Sequence, residues 1–430
     1  MCMETNGGKN MNGAILAGID YGQENFEYTM NELAALTQAA TIKPELTITQ
    51  KLDKPVSATY FGSGKLNEIK NAATAKDAID LIINDELTPT QLRNIEDQTN
   101  LTVIDRTALI LEIFARRAHT REAKLQVQIA SLQYRLPRLR TSSLNRFDQQ
   151  TAGSGGGFTS RGSGETQMEL NRRTIQNQIN HLRHQLKEVE QEEQTKRKAR
   201  DRSNLKTVAL VGYTNAGKST TMNGLLRLTG QNEEKQVFEK NMLFATLDTS
   251  VRKIQFADNK QILLSDTVGF VSSLPHQLVE AFKTTLSEAA QADLLIQVID
   301  ASDPHAKEMA KTTEKTLHEI GVTGIPMIYA FNKADLEPKL SYPQIAGDQI
   351  TFSAQDDESL NLLIKMIKKT LFADFETKTY LIPFDQGKYL EQLNSNASVL
   401  NTDYLAKGTL ITAEVSPATA GILQKFEHSN

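Results

Sequence analysis

Gly212-Tyr213-Thr214-Asn215-Ala216-Gly217-Lys218-Ser219 is the stretch on which the fold of this chain turns. It fits G-x-x-x-x-G-K-S, and its surroundings are the ones that motif requires. An apolar run over 208–211 reads as a buried strand, and Thr220 opens a helical pattern that continues to 228. Gly212 and Gly217 let the backbone curl around phosphates, with its amides aimed inward from a helix N-terminus. Lys218 is expected to bring a point charge to the β- and γ-phosphates, and the Ser219 hydroxyl to ligate Mg²⁺. Residues 212–220 are therefore expected to cradle a nucleotide.

Working downstream, Asp266-Thr267-Val268-Gly269 follows an apolar strand pattern at 262–264. An acidic group at that strand's carboxyl end can hold Mg²⁺, through water, and Gly269 leaves room for its amide to approach a γ-phosphate. Asn332-Lys333-Ala334-Asp335 follows a buried strand pattern at 327–331. The Asp335 carboxylate can accept from guanine N1–H and N2–H₂, a pair that adenine lacks. A site built on those partners rejects the analogue by roughly 10⁴-fold or more. The Lys333 stem would cover the base, and Ser353-Ala354, after a strand at 349–352, would offer an amide to guanine O6. Between the first two motifs lies Phe244-Ala245-Thr246-Leu247-Asp248-Thr249, where a first switch segment is expected. Its threonine, Thr246 in first place and Thr249 in second, would reach Mg²⁺ and the γ-phosphate only with GTP bound. Together these pieces predict a GTP-binding domain over 205–372, built on a mostly parallel sheet.

The full 430 residues suggest roughly three domains. Cys2 is the only cysteine, which excludes a disulfide framework and a multi-cysteine zinc site. The polar start and short apolar runs argue against a signal peptide or a membrane span, and a reducing cytoplasm fits best. Whole-chain charge is −4, from 48 Lys+Arg against 52 Asp+Glu. Residues 106–202 alone hold 19 basic and 10 acidic residues, a net of +9, so the remainder carries −13. That asymmetry points to a polyanion-binding segment, or more blandly to a solvated helical surface.

Residues 13–104 alternate strand patterns (14–19, 46–49, 78–83, 101–104) with helical ones (30–40, 66–75, 90–100), predicting a small α/β domain with a parallel sheet. A continuous helix is expected over 107–136, stopped by Pro137, and a second over 166–202. Leu125, Ile129, Leu132 and Leu136, and then Ile175, Ile179, Leu182, Leu186 and Val189, repeat at alternating spacings of three and four. Two such stripes predict an antiparallel coiled-coil hairpin over 105–203, unless each helix packs separately on a neighbouring domain. The connecting loop, 138–165, mixes glycines with Arg138, Arg140, Arg146 and Arg161. These guanidiniums would suit an irregular anionic surface, and Phe158 would stack on exposed bases. Residues 377–430 predict a small α+β domain. Gly62-Ser63-Gly64-Lys65 reads as a turn and helix start, with an anion cradle as the second reading. His181 and His184 read as surface or RNA-facing, and His276, near the second switch, as packing or solvent contact, with catalysis at the nucleotide as the second reading.

In Gly212–Ser219, Phe244-Ala-Thr-Leu-Asp248, Asp266-Thr-Val-Gly-Phe270 and Leu274-Pro-His-Gln-Leu-Val-Glu-Ala-Phe282, the chain resembles the HflX family of translational GTPases. Tyr60-Phe-Gly-Ser-Gly-Lys65, Ile104-Asp-Arg-Thr107 and Gly162-Ser-Gly-Glu165 extend the likeness outside the G domain, over 13–375. The resemblance implies GTP and GDP as ligands, binding to the large (50S) ribosomal subunit and its RNA, and GTP-dependent splitting or rescue of stalled 70S ribosomes by a cytoplasmic monomer. Phe270 stands where many small GTPases place a water-orienting glutamine, so intrinsic turnover should be slow. Acceleration would come from K⁺ bound with help from Asn215, as in related GTPases, or from the ribosome, the larger effect expected. On this reading Lys218, Thr246, Gly269 and Asn215 carry catalysis. The alternative is a nucleotide-gated ribosome- or RNA-binding module, for assembly or hibernation, with little intrinsic hydrolysis.

Overall fold

The computed structural model describes residues 13–139, 160–201, 205–230, 243–244, 250–272 and 287–428. The chain forms two compact units. The first is built on residues 1–193 and also takes in Phe244 and Ser272; the second holds the remaining sequence.

In the first unit, β1 (Gly13–Asp20), α1 (Phe26–Ala39), β2 (Lys43–Lys51), α2 (Ser63–Lys76), β3 (Ala78–Ile83), α3 (Pro89–Thr99) and β4 (Thr102–Asp105) alternate. The strands form a wholly parallel sheet in the order β2-β1-β3-β4. Parallel neighbours need helical crossovers, and the crossovers bury the strands, so β1 and β3 are almost continuously apolar. Ile15, Ala17, Leu81 and Ile83 meet Leu66, Ile69 and Ile95 from α2 and α3 in one core. Local chemistry sets the helix ends. Thr88 and Gln91 form a reciprocal capping box ahead of Pro89, and Asp77 ends α2 in the left-handed conformation. Gly62 is the N-cap of α2, consistent with a helix start at Gly62–Lys65.

The helix expected over 107–136 is two helices. α4 (Arg106–Arg117) ends at Ala118, whose backbone turns extended, and α5 (Arg121–Arg135) starts afresh behind Thr120. The Thr120 hydroxyl accepts from Ala123 N–H at 3.2 Å, so a cap competes successfully with helix continuation. A second helix spans Ser160–Asp201, beginning six residues earlier than the apolar stripe suggested. Gly162–Glu165 are therefore helical, not loop. Ile179 and Val189 are buried and Ile175, Leu182 and Leu186 half-buried, while Arg172, Arg173, Arg183 and Lys187 stand exposed. His181 and His184 are exposed too, with His184 beside Glu188.

The second unit is organised around a seven-stranded sheet in the order β10-β11-β9-β8-β5-β7-β6, formed by β5 (Lys206–Val211), β6 (Ser250–Gln255), β7 (Gln261–Asp266), β8 (Leu294–Asp300), β9 (Met327–Asn332), β10 (Gln344–Ala346) and β11 (Gln349–Thr351). Only the edge strands β6 and β10 run antiparallel to their neighbours. Val208, Leu210, Leu264, Ile296, Val298 and Ile328 join Leu225 and Leu226 of the helix Lys218–Leu228 in the core. The helix Asp357–Leu371 closes it with Leu360, Leu363 and Ile367, capped by Asp356, which accepts from Ser359 N–H at 2.8 Å. A three-stranded antiparallel sheet, β12 (Glu376–Ile382), β14 (Gly408–Val415) and β13 (Ser398–Leu405), packs on helices Gly387–Asn396 and Pro417–Leu423. Fold class is thus multidomain α/β with a small C-terminal α+β part.

Candidate nucleotide-binding site

The carboxyl ends of parallel strands gather ligand-binding loops, and here β5, β7, β8 and β9 deliver four of them together. The loop after β5 turns through Asn215 (φ 63°) and Gly217 (φ 96°) into the helix Lys218–Leu228. Gly217 has no substitute: a Cβ there would stand 2.1 Å from Asn332 Nδ2. Tyr213, Thr214 and Ala216 are buried, Gly217, Ser219 and Thr220 half-buried, and Asn215 is exposed.

Lys218 is 7% exposed, and its Nζ donates to Gly212 O at 3.0 Å and Tyr213 O at 2.8 Å. Burial pulls its pKa down to about 8, against the opposing attraction of Asp266. Asp266 is fully buried, and burial pushes its carboxyl upward despite Lys218, the Ser219 hydroxyl and the Thr267 amide. A lysine and an aspartate that both lean toward neutrality in one pocket are short of counter-charge. A polyphosphate with a divalent cation supplies both signs.

Ser219 Oγ donates to Asp266 Oδ2 at 2.6 Å, while Asp266 Oδ1 is buried with no hydrogen-bond partner among the described residues. An orphaned carboxylate oxygen beside a hydroxyl fits a Mg²⁺ site. Thr267 Oγ1 donates to Leu210 O at 2.7 Å and holds the end of β7 against β5. Val268 is buried. Gly269 lies against Thr214 and Lys218, since a Cβ there would come within 2.6 Å of Thr214 Cα.

Asn332, 2% exposed, ties two loops together: Nδ2 donates to Ala216 O and Oδ1 accepts from Ala354 N–H, both at 2.9 Å. It therefore sets loop positions, and the amide expected at guanine O6 is engaged with Asn332 in this structure. Lys333 adopts the left-handed conformation (φ 63°), and its Nζ donates to Asp300 Oδ2 at 2.5 Å. Asp335 is exposed in a short turn of 3₁₀ helix, and Ser353 and Ala354 are buried beside it. Gly224 lets the Ser353-Ala354 loop approach: a Cβ there would lie 2.9 Å from Ala354 O.

Asp300 escaped the sequence reading. It ends the buried strand β8 next to β9, and that adjacency was its only signal. Phe244, expected at the nucleotide, instead sets its ring edge-on to Phe114 at 4.6 Å, inside the first unit. Ala245, Thr246, Thr249 and His276 lie outside the described residues. Arg138, expected to reach RNA, is a correction. The fully buried Asp105 carboxylate demands a counter-charge, and Arg138 Nη2 donates to it at 3.1 Å. The same side chain donates to Tyr134 O and Leu87 O, and its guanidinium stacks 3.4 Å from the Tyr134 ring centre. Arg140, Arg146 and Phe158 lie outside the described residues, and Arg161 falls in the helix Ser160–Asp201 rather than a loop.

A glycine-bearing loop running into a helix, a strand-end aspartate facing its serine, and an Asn-Lys-x-Asp turn on the next-but-one strand define a P-loop GTPase. Residues 207–333 match a family described as 50S ribosome-binding GTPase, 27–115 one described as GTP-binding GTPase N-terminal, and 117–200 one described as GTP-binding GTPase Middle Region. GTPase HflX of Caldanaerobacter subterraneus subsp. tengcongensis is 39% identical over 413 residues, covering 96% of this chain and 93% of its own. GTPase HflX of Escherichia coli K12 is 37% identical over 380 residues, covering 87% and 86%. A solved GTP-binding protein from Sulfolobus solfataricus in complex with GDP is 27% identical and covers 84% of this chain and 99% of its own, with a TM-score of 0.43. The chain belongs to the HflX family of GTPases, binds guanine nucleotides and hydrolyses GTP.

Proposed function

We propose that this GTPase binds the large ribosomal subunit in its GTP form and splits or rescues stalled 70S particles in the cytoplasm as a monomer, with hydrolysis stimulated by the ribosome. The observation that carries the stimulated-hydrolysis part is Phe270. It is 3% exposed, offers no group to orient a water, and its backbone pairs with Gly212 and Thr214. Turnover then waits for a partner that rearranges this segment. Support for the ribosome comes from the family matched by residues 207–333 and from the basic face of the helix Ser160–Asp201. Arg172, Arg173, Arg183 and Lys187 stand exposed along it, the side chains expected to meet phosphate. Among the described residues, no helix is long and apolar enough to cross a membrane.

For the chemistry, Lys218 and the loop amides bind the β- and γ-phosphates, Asp335 selects guanine, and the Gly269 amide meets the γ-phosphate. Ser219 and Asp266, joined by Thr246, would hold Mg²⁺, which when bound neutralises charge on the phosphates. Asn215, exposed at the loop's crest, is the residue that would assist K⁺. Sedimentation of 70S ribosomes with this protein tests the reading: GTP or a non-hydrolysable analogue should shift particles to free subunits or carry the protein with 50S, and GDP should do neither. Equal behaviour with both nucleotides refutes it. The buried Phe270 also favours a second reading, a nucleotide-gated clamp with little hydrolysis. Phosphate release in the presence of ribosomes separates the two.

A further inference from the structure

We propose that Asp300 is a positioning residue for guanine recognition, holding the Lys333 stem where it can cover the base, with Ser302 holding Asp300 in turn. Asp300 and Asn332 stand opposite one another at the carboxyl ends of the parallel strands β8 and β9, and Ala301 N–H donates to Asn332 O at 2.7 Å. Asp300 itself is fixed locally. Its Oδ1 accepts from Ser302 Oγ at 2.6 Å and from Ser302 N–H at 3.0 Å, which leaves Oδ2 to accept from Lys333 Nζ at 2.5 Å. The aspartate and lysine side chains are 17% and 24% exposed. The pair is thus better shielded from water than an open surface ion pair, whose worth is small.

Lys333 is therefore tied at both ends, its backbone to the end of β9 and its ammonium to the end of β8. Free in water, its flexible four-carbon stem would sample many rotamers. Here the methylenes are laid between two strand ends, two residues ahead of Asp335, before any base arrives. The same backbone sets the turn that carries Asp335. Lys333 is left-handed (φ 63°), a conformation that an L-residue adopts at a cost. Lys333 O accepts from Leu336 N–H at 3.0 Å, and Ala334 N–H donates to Phe352 O at 3.2 Å. Ordering one long side chain in advance is worth up to about tenfold in affinity.

The inference rests on the reading of Asn332–Asp335 as the guanine-binding turn. The test uses the full chain with Asp300→Asn, Lys333→Met and the two combined. Each is titrated with a fluorescent GDP and a non-hydrolysable GTP analogue beside thermal melts. Asp300→Asn should weaken both nucleotides equally, by about tenfold, equivalent to about 1.4 kcal/mol, because the base is common to them. In the Lys333→Met background there is no ammonium to hold, so adding Asp300→Asn should cost less than about twofold. A role confined to folding would not produce that cancellation. Asp300→Asn within about twofold of wild type, a loss confined to one nucleotide, or an undiminished loss in the Lys333→Met background overturns the proposal. Should Asp300→Asn fail to fold, Ser302→Ala decides. It loosens the carboxylate without removing its charge and should weaken both nucleotides about threefold, and unchanged binding overturns the proposal. A wild-type chain that shows no preference for GDP over ADP in displacement would instead sink the guanine-turn reading itself.

Discussion

Replacing Asn332 by alanine should loosen two loops of the nucleotide site at once. Among the described residues, its carboxamide is the hydrogen-bonded link that joins Ala216 O to Ala354 N–H, at 2.9 Å on each side and 2% exposure. In Asn332→Ala both backbone groups stay buried without a partner, and each such orphan costs about 1–3 kcal/mol, so about 2–6 kcal/mol together. A domain of this size loses about 2–4 °C of melting temperature per kcal/mol, which puts the expected fall at roughly 4–24 °C without nucleotide. Guanine-nucleotide affinity should drop about tenfold or more, because the phosphate loop and the base loop lose their shared brace. Asn332→Asp is a sharper control: its carboxylate still accepts from Ala354 N–H but faces Ala216 O with like polarity, so it should be at least as harmful. Thermal melts with and without GDP, alongside titration of a fluorescent GDP, read both effects. An alanine variant that melts within about 2 °C of wild type and keeps its GDP affinity refutes the brace.

Gly217→Ala forces a left-handed φ on a side chain whose Cβ would lie 2.1 Å from Asn332 Nδ2, a cost of about 2–5 kcal/mol that should appear as at least a thirtyfold loss of GTP affinity in the same titration. Asp335→Asn should abolish the preference for guanine, a discrimination of roughly 10⁴-fold, and let xanthosine nucleotides compete in a displacement assay. Lys260→Met targets the C-terminal sheet. Lys260 is nearly buried, pairs with Glu414 of β14 at 2.8 Å and lies over the Phe372 and Phe375 rings at 5.0 and 5.6 Å. Its loss should speed proteolysis within 376–428 while nucleotide binding stays intact.

Much of this protein was legible from residue order because its strongest signals are local. A phosphate loop needs particular residue types at fixed spacings between a strand and a helix, so Gly212–Ser219 announces its fold, and β1, β3, β5 and β9 are apolar enough to be seen directly. The stripe from Ile175 to Val189 likewise marked the inner face of the long helix. The break at Ala118 was missed because apolar spacing carries on across it, and the competing Thr120 cap depends on a single hydroxyl.

Residue order by itself determined that phosphates, guanine and a cation have partners here, since those chemistries follow from side-chain type and spacing. Only the tertiary structure decided what each side chain does with its polar atoms. Arg138 turns inward because Asp105 lies at zero exposure and needs a cation. Asn332 became a brace and Asp300 a partner for Lys333, across sequence separations of 116 and 33 residues. Buried charges and amides must find partners wherever folding places them, and no local pattern records which distant atom that will be.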